Sequence, residues 1–510
     1  MPLFRHALAT SLLLAAAQAS LAASSRPDPV DIKPRACPQT DAIPHGATCL
    51  RATVPEDYDK PAGRTIGLDI VVLKATRRDA HRPPLFVLSG GPGDRTTFTA
   101  ADEVELWTAH LREHDLVFVD QRGNGETPDL ACASPDASPA SLMTDLWPAA
   151  PLAACAHRLS ASADLARYTT TDAARDLDNV RAALGYAQID IVGYSYGTRL
   201  AQEVLRRDDA AVHAALLIGP MAPAMSVPSG MAQAMQRSLA ATLDRCKADA
   251  ACTAAWPDVD GDLRRLEHRF AQGPLVLHAT KARAAGAASA ATGMAMATAT
   301  DATDKDLAIA PGVIASFLRG QLYSATGAAT LPRRIHALSD PGRDQAELGR
   351  IAAWRKAFDS WAPMGMYMAI TCAEDVPFVD IDAERRAASG TLLGSYRVDM
   401  QSAACRAWPR EQPNAAVHAP VVSAVPTLLL VGEFDPATPP GFAPGIVASL
   451  AHGRAVVVPN RGHSLPEDWD ACIGKVSTAF LETADAAHLD TACVARLRMP
   501  PFVTTPVAAN

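Results

Sequence analysis

The clearest chemical signal in the chain is Gly193-Tyr194-Ser195-Tyr196-Gly197, entered from the apolar run Ile189 to Val192. A serine with a glycine two positions away on each side, between a strand and a helix, suits a nucleophile on a tight turn. Small residues are needed because the backbones before and after the nucleophile pass close together. The turn lifts the hydroxyl clear of the sheet and sets the Tyr196 amide beside it at a helix start. A serine hydroxyl is a weak nucleophile; it needs a base, and the base needs an orienting acid. Leu428-Leu429-Leu430-Val431-Gly432-Glu433-Phe434-Asp435 is an apolar run ending in a turn with a carboxylate. Ala455 to Val458 is the next such run, and it leads through Pro459-Asn460-Arg461-Gly462 to His463. Taken singly, Asp435 before Pro436 reads as a turn residue, Glu433 is a rival acid, and His463 reads as a loop histidine. The order of Ser195, Asp435 and His463, each just past a strand end, selects them as nucleophile, acid and base.

Gly90-Gly91-Pro92-Gly93 follows another short apolar run, Leu85 to Leu88. Acyl transfer needs hydrogen-bond donors aimed at the developing oxyanion, and glycine lets a backbone amide approach without a Cβ in the way. We assign the amides of Gly91 and Tyr196 to this oxyanion hole; the alternative is a plain Gly/Pro turn. Asp120-Gln121-Arg122-Gly123 ends the run Leu116 to Val119 and reads as a charged turn that supports the loops around it.

The elements that must position these residues alternate in type. Strand patterns at 66–74, 85–88, 116–119, 189–192 and 214–218 are interleaved with helical ones at 171–184, with Thr171 as cap and Gly185 past the end, and at 197–207. This alternation predicts an α/β fold with a mostly parallel central sheet flanked by helices. The pattern then turns mainly helical from 224 to 415, and strands return at 427–431 and 455–458. An insertion there would lie over the strands' C-terminal ends, where ligands bind, so a large, mainly helical lid is expected. Residues 279–303, biased to Ala, Thr and Gly, lack large apolar side chains and read as a mobile loop within it. The expected division is a signal peptide at 1–22, hydrolase core at 23–223 and 416–510, and a lid at 224–415.

Among the 510 residues, 48% are hydrophobic but only 5% aromatic, so Ala, Leu and Val must fill the core. A net charge of −8 gives no electrostatic case for binding nucleic acid or an anionic membrane. Arg5 and His6 precede the apolar stretch Ala7 to Ala17, with small residues after it, as in an export signal. The stretch is short for a membrane span, and no other segment reaches that length uninterrupted. The expected destination is the periplasm or the extracellular space, with no membrane partner after cleavage. Ten cysteines suit an oxidising compartment: Cys37, Cys49, Cys132, Cys155, Cys246, Cys252, Cys372, Cys405, Cys472 and Cys493. Spacing invites pairing of neighbours without fixing the connectivity, and buried thiols are the alternative. No CxxC pair points to zinc.

These motifs together resemble the prolyl aminopeptidase and tripeptidyl aminopeptidase family of α/β-hydrolases, over roughly residues 50–502. The resemblance rests on Gly90-Gly91-Pro92-Gly93, Asp120-Gln121-Arg122-Gly123, Gly193 to Thr198, Gly432-Glu433-Phe434-Asp435-Pro436-Ala437-Thr438-Pro439 and Gly462-His463-Ser464. The stretch from Cys472 to Cys493, with Pro500-Pro501-Phe502, is similar to that family's C-terminal segment. Ser89 departs from the histidine that often precedes the glycines in prolyl aminopeptidases. The resemblance implies a serine exopeptidase acting on peptides with a free N-terminus, without metal or organic cofactor. It also implies acidic lid residues that bind the substrate amine, and Glu374 and Asp375 match that segment; their other reading is an exposed acidic turn. Two rival functions stand beside it: an esterase or lipase-like hydrolase with the same triad, and a non-catalytic binding protein, which would have a damaged one. Oligomeric state is not legible in the sequence.

Overall fold

Short runs rich in Val, Ile and Leu become strands because their side chains fill a sheet covered on both faces. The computed structural model describes residues 28, 30–77, 82–125, 129–132, 138–279, 305–361 and 364–505. The expected signal peptide and the Ala/Thr/Gly tract beyond residue 279 lie outside these. The strands are β1 (Asp31–Pro34), β2 (Thr48–Pro55), β3 (Thr65–Leu73), β4 (Leu85–Leu88), β5 (Leu116–Val119), β6 (Ile189–Tyr194), β7 (Val212–Ile218), β8 (Leu275–Leu277), β9 (Leu307–Ile309), β10 (Thr427–Gly432) and β11 (Gly453–Val458). Nine of them form one sheet in the order β1-β2-β3-β5-β4-β6-β7-β10-β11. The pairs among β1, β2, β3 and β5 are antiparallel, and every pair from β5 across to β11 is parallel. The two-stranded antiparallel ribbon β8–β9 stands apart.

Alternation along each strand divides the interior into two cores. Phe86, Leu88, Ile191, Leu217, Leu429 and Val431 face one; Leu85, Val87, Val192, Leu216, Leu428 and Leu430 face the other. From β4 the chain moves to β5 on one side and then to β6 on the other. That reversal opens a crevice at the strands' C-terminal ends. The loops after β4, β6, β10 and β11 all meet at this end.

The helix before β6 spans Thr170–Ala183. Its cap is Thr169, whose hydroxyl accepts the Asp172 N–H at 3.1 Å. This corrects the expected cap at Thr171, which lies inside the first turn and donates its hydroxyl to Glu203 at 3.2 Å. Gly185 follows the helix at φ 83°, as expected of a terminating glycine.

Between β7 and β10 the described chain is helical apart from β8–β9, with the longest helices at Met231–Ala248, Val259–Gln272 and Gln345–Trp361. The C-terminal segment ties this region to the core. Trp256 Nε1 donates to the Val503 carbonyl at 2.9 Å, and the Val503 N–H to Ala329 at 3.1 Å. Closer to β11, Asn460 Nδ2 donates to the Leu497 carbonyl and Arg461 to that of Arg498, both at 3.0 Å. Neighbouring cysteines pair throughout: Cys37–Cys49, Cys132–Cys155, Cys246–Cys252, Cys372–Cys405 and Cys472–Cys493. Such a set belongs to an oxidising compartment. Among the described residues, no helix is long and apolar enough to cross a membrane.

At the opposite end of the sheet from Ser195, His110, His114 and Asp190 are buried together. The two imidazoles stack at 3.7 Å and 15°, so their in-plane lone pairs run side by side instead of converging. Among the described residues His110 has no hydrogen-bond partner on either ring nitrogen, and burial, aided by His114 and Arg82, pushes it down to about 3. It is therefore neutral when folded and takes up a proton near pH 6.5 when unfolded. Stability present above pH 6.5 should fall as pH drops toward 3, by about 1.4 kcal/mol per pH unit for this one proton. Asp190, raised by burial, opposes this at the acid end. Thermal melts of His110→Leu between pH 7 and 5 should show a flatter profile than wild type; parallel profiles would contradict the assignment.

Candidate active site

Ser195 is one of three non-glycine residues with positive φ among the described ones, at φ 54° and ψ −120°. Its N–H donates to the Ile218 carbonyl at 3.0 Å, which ties the turn to the end of β7. The glycines around it are sterically required. A Cβ on Gly193 would stand 2.6 Å from the Gly197 carbonyl oxygen. One on Gly197 would stand 2.1 Å from that of Leu88 and 2.7 Å from that of Ser89, at the start of the Gly-Gly-Pro-Gly loop. Gly197→Ala should therefore lower stability by about 3 kcal/mol through backbone overpacking. A thermal melt within a degree of wild type would refute this.

His463 Nδ1 donates to Asp435 Oδ2 at 2.7 Å. The other Asp435 oxygen accepts the N–H groups of Ala437 and Thr438 at 2.7 Å, and the Thr438 hydroxyl donates to Oδ2 at 2.7 Å. Burial alone would raise this carboxyl, but the His463 charge and these hydrogen bonds outweigh it and hold it below the usual carboxylate range. Glu433, the rival acid, points elsewhere: its carboxylate accepts the Asn460 N–H at 2.9 Å and pairs with Arg245 at 3.2 Å. The imidazole lies between Gly219 and Tyr323. A Cβ on Gly219 would be 2.9 Å from His463 Cε1, and the Tyr323 ring meets the imidazole edge-on at 4.9 Å. Gly219 directly follows Ile218, so Ser195 and the His463 imidazole are held against the same strand end.

The region between β7 and β10 sits on this histidine loop. The Ser464 N–H donates to the Tyr323 carbonyl at 2.7 Å, Glu467 accepts the Ala325 N–H at 2.9 Å, and Arg319 donates to the Pro436 carbonyl at 3.2 Å. Across the cleft, Gly90 abuts Ser195: a Cβ there would lie 3.1 Å from Ser195 Cβ. Gly91 adopts φ 101°, which only glycine tolerates without strain. The loop beyond β5 is held from within. Asp120 accepts the Thr97 N–H and hydroxyl at 2.8 Å each. The fully buried Arg122 binds both Asp176 oxygens at 2.8 Å and the Arg167 carbonyl at 2.7 Å.

Glu374 and Asp375 differ from the expectation. Both are buried, at 4% and 1% exposure, on a single π-helical turn, Thr371–Asp375. Glu374 accepts the Thr170 N–H and hydroxyl at 2.6 Å each, and Thr170 contacts the Tyr196 hydroxyl at 2.8 Å. Burial pushes Glu374 up to about 7 against these hydrogen bonds. Asp375 pairs with Arg199 at 2.7 Å. Their carboxylates are thus engaged beneath the helix Tyr196–Asp208, and neither stands as a free acid for a substrate amine. The acid that the sequence reading passed over is Asp94, directly after Gly-Gly-Pro-Gly and on the same loop as Gly90. Its position in that run was the available signal.

Comparison with known proteins accords with this geometry. Residues 83–258 match the family model described as alpha/beta hydrolase fold, and residues 391–493 match the one described as TAP-like protein. Over 467 residues, 86% of each chain, the sequence is 26% identical to Serine protease Hip1 of Mycobacterium tuberculosis. It is 30% identical over 173 residues to Tripeptidyl aminopeptidase of Streptomyces lividans, covering 31% of this chain and 32% of that one. It is 33% identical over 200 residues to Carboxylesterase B of Mycobacterium tuberculosis, covering 35% and 37%. One family model spans the Ser195 elbow and the other spans Asp435 and His463; the chain is a serine hydrolase and belongs to the tripeptidyl-aminopeptidase-like family of α/β-hydrolases.

Proposed function

We propose that this protein is an exported serine exopeptidase that hydrolyses an amide bond close to a free N-terminus through an acyl-enzyme. Ser195 Oγ attacks the scissile carbonyl while His463 Nε2 removes its proton. His463 then returns that proton to the leaving amine. Asp435 keeps Nδ1 protonated and stabilises the imidazolium. The amides of Gly91 and Tyr196 hold the tetrahedral oxyanion. Water, activated by the same imidazole, releases the acyl group. The region at 224–415 acts as a lid that excludes folded proteins and admits chain ends.

The observation that carries this reading is the 2.7 Å Asp435–His463 contact beside a strained Ser195, roofed by Tyr323 and its neighbours. The peptidase names of two relatives support peptide substrates, and the five disulfides support export. The carboxylesterase relative favours a second reading, ester hydrolysis by the same groups, since amide and ester share the tetrahedral intermediate. A panel of chromogenic aminoacyl and tripeptidyl amides, with free and acetylated N-termini, run beside simple esters, separates the two. Turnover of free-amine amides supports the exopeptidase; turnover confined to esters or to blocked amides removes it.

A further inference from the structure

The loop that brings Gly90 against the nucleophile also carries a carboxylate without a partner. A Cβ on Gly90 would stand 3.1 Å from Ser195 Cβ and 3.5 Å from Asp94 Oδ2, so nucleophile and acid flank the same glycine. A Cβ on Gly91 would stand 3.2 Å from Asp94 Oδ1. The Asp94 backbone is fixed, its N–H directed to the Gly90 carbonyl at 3.4 Å and its own carbonyl accepting Asn124 Nδ2 at 3.3 Å. Among the described residues, no hydrogen bond or ion pair reaches its side chain. The adjacent Arg95 turns away, its guanidinium over the Phe98 ring at 4.7 Å.

Asp94 is half-buried, and the other buried or half-buried acids near this end of the sheet are matched. Asp120 has Thr97, Glu103 has Trp107 and Tyr194, Glu374 has Thr170, Asp375 has Arg199, and Asp435 has His463. Burial with no compensating cation pushes the Asp94 carboxyl up to about 7. A desolvated carboxylate is costly unless a cation meets it. Half an ion pair at a nucleophile is completed most directly by a cation that arrives with the substrate.

We propose that Asp94 binds the α-ammonium group of the substrate residue whose carbonyl Ser195 attacks, so that one residue leaves per cut. This rests on the exopeptidase reading above and adds the register. An α-nitrogen is two bonds from its own carbonyl carbon, within reach of an acid that shares Gly90 with the nucleophile. Each further residue would carry the amine about 3.3–3.6 Å away along an extended chain. The same acid disfavours blocked N-termini, because its charge would stand uncompensated beside the developing oxyanion.

The test compares wild type, Asp94→Asn and Asp94→Glu on an alanyl p-nitroanilide, its N-acetyl counterpart and a tripeptidyl p-nitroanilide. Active sites are counted by fluorophosphonate labelling, which restricts the comparison to folded enzyme. The expected result is that Asp94→Asn raises KM for the alanyl amide by about tenfold or more and shrinks the free-over-acetylated preference by a similar factor. Asp94→Glu should recover part of both. An unchanged preference in labelled Asp94→Asn overturns the proposal while leaving the exopeptidase intact. Wild-type preference for the tripeptidyl over the alanyl amide overturns it even where the variant fails to label. Wild-type turnover of esters alone removes both readings together.

Discussion

Ser195→Ala is expected to lower kcat/KM by about 10⁴- to 10⁶-fold and to abolish fluorophosphonate labelling. Ser195 sits at φ 54° because Gly193 and Gly197 let β6 and the following helix approach closely, and its amide is fixed to Ile218. Alanine keeps that backbone and loses only the hydroxyl, so the loss in rate reports the nucleophile and not the fold. Thermal melts in parallel should agree within a few degrees. A variant retaining a tenth of wild-type activity would show that the reaction does not pass through this oxygen. Labelling also separates an enzyme from a binding protein on the same fold.

Asp435→Asn should lower kcat by about 10⁴-fold with a much smaller change in KM. Both oxygens of this buried acid accept hydrogen bonds: two amides on one, the Thr438 hydroxyl and the imidazole on the other. An asparagine amide must turn its NH₂ toward one of these sets. Toward His463, it would favour the tautomer with the proton on Nε2, which cannot accept the Ser195 proton. Held below the usual carboxylate range, Asp435 is ionised throughout the neutral and mildly acidic region. It therefore adds no limb of its own to the wild-type pH–rate profile there. A kcat within tenfold of wild type would remove Asp435 from the proposed triad.

The sheet and the Ser195, Asp435 and His463 loops were legible because each depends on local rules. Apolar runs mark strands buried on both faces, and glycines mark the elbow. Chain order then narrows the choice of acid and base. The antiparallel β1 and β2 were missed because charged residues break the apolar pattern, as Lys33 and Arg51 do. The cap moved from Thr171 to Thr169 because adjacent threonines offer the same side chain, and only the helix's docking selects between them. Glu374 and Asp375 illustrate a harder limit. An acidic pair reads as polar and available, yet Thr170 and Arg199, about 200 and 176 positions earlier, enclose it. Asp94 shows the converse: its place after Gly-Gly-Pro-Gly set it near Ser195, but nothing local told that its side chain would stand unpaired among the described residues.

The strap formed by residues near 500 has a temporal consequence. Asn460 and Arg461 lie just before His463, and both donate to carbonyls of that strap; Trp256 and Ala329 grip it on the other side. These residues are synthesised after all three members of the proposed triad. A nascent chain can therefore complete its serine elbow early while the imidazole loop still lacks its final anchors. The last contacts that fix the His463 loop thus come from residues that follow it in the chain.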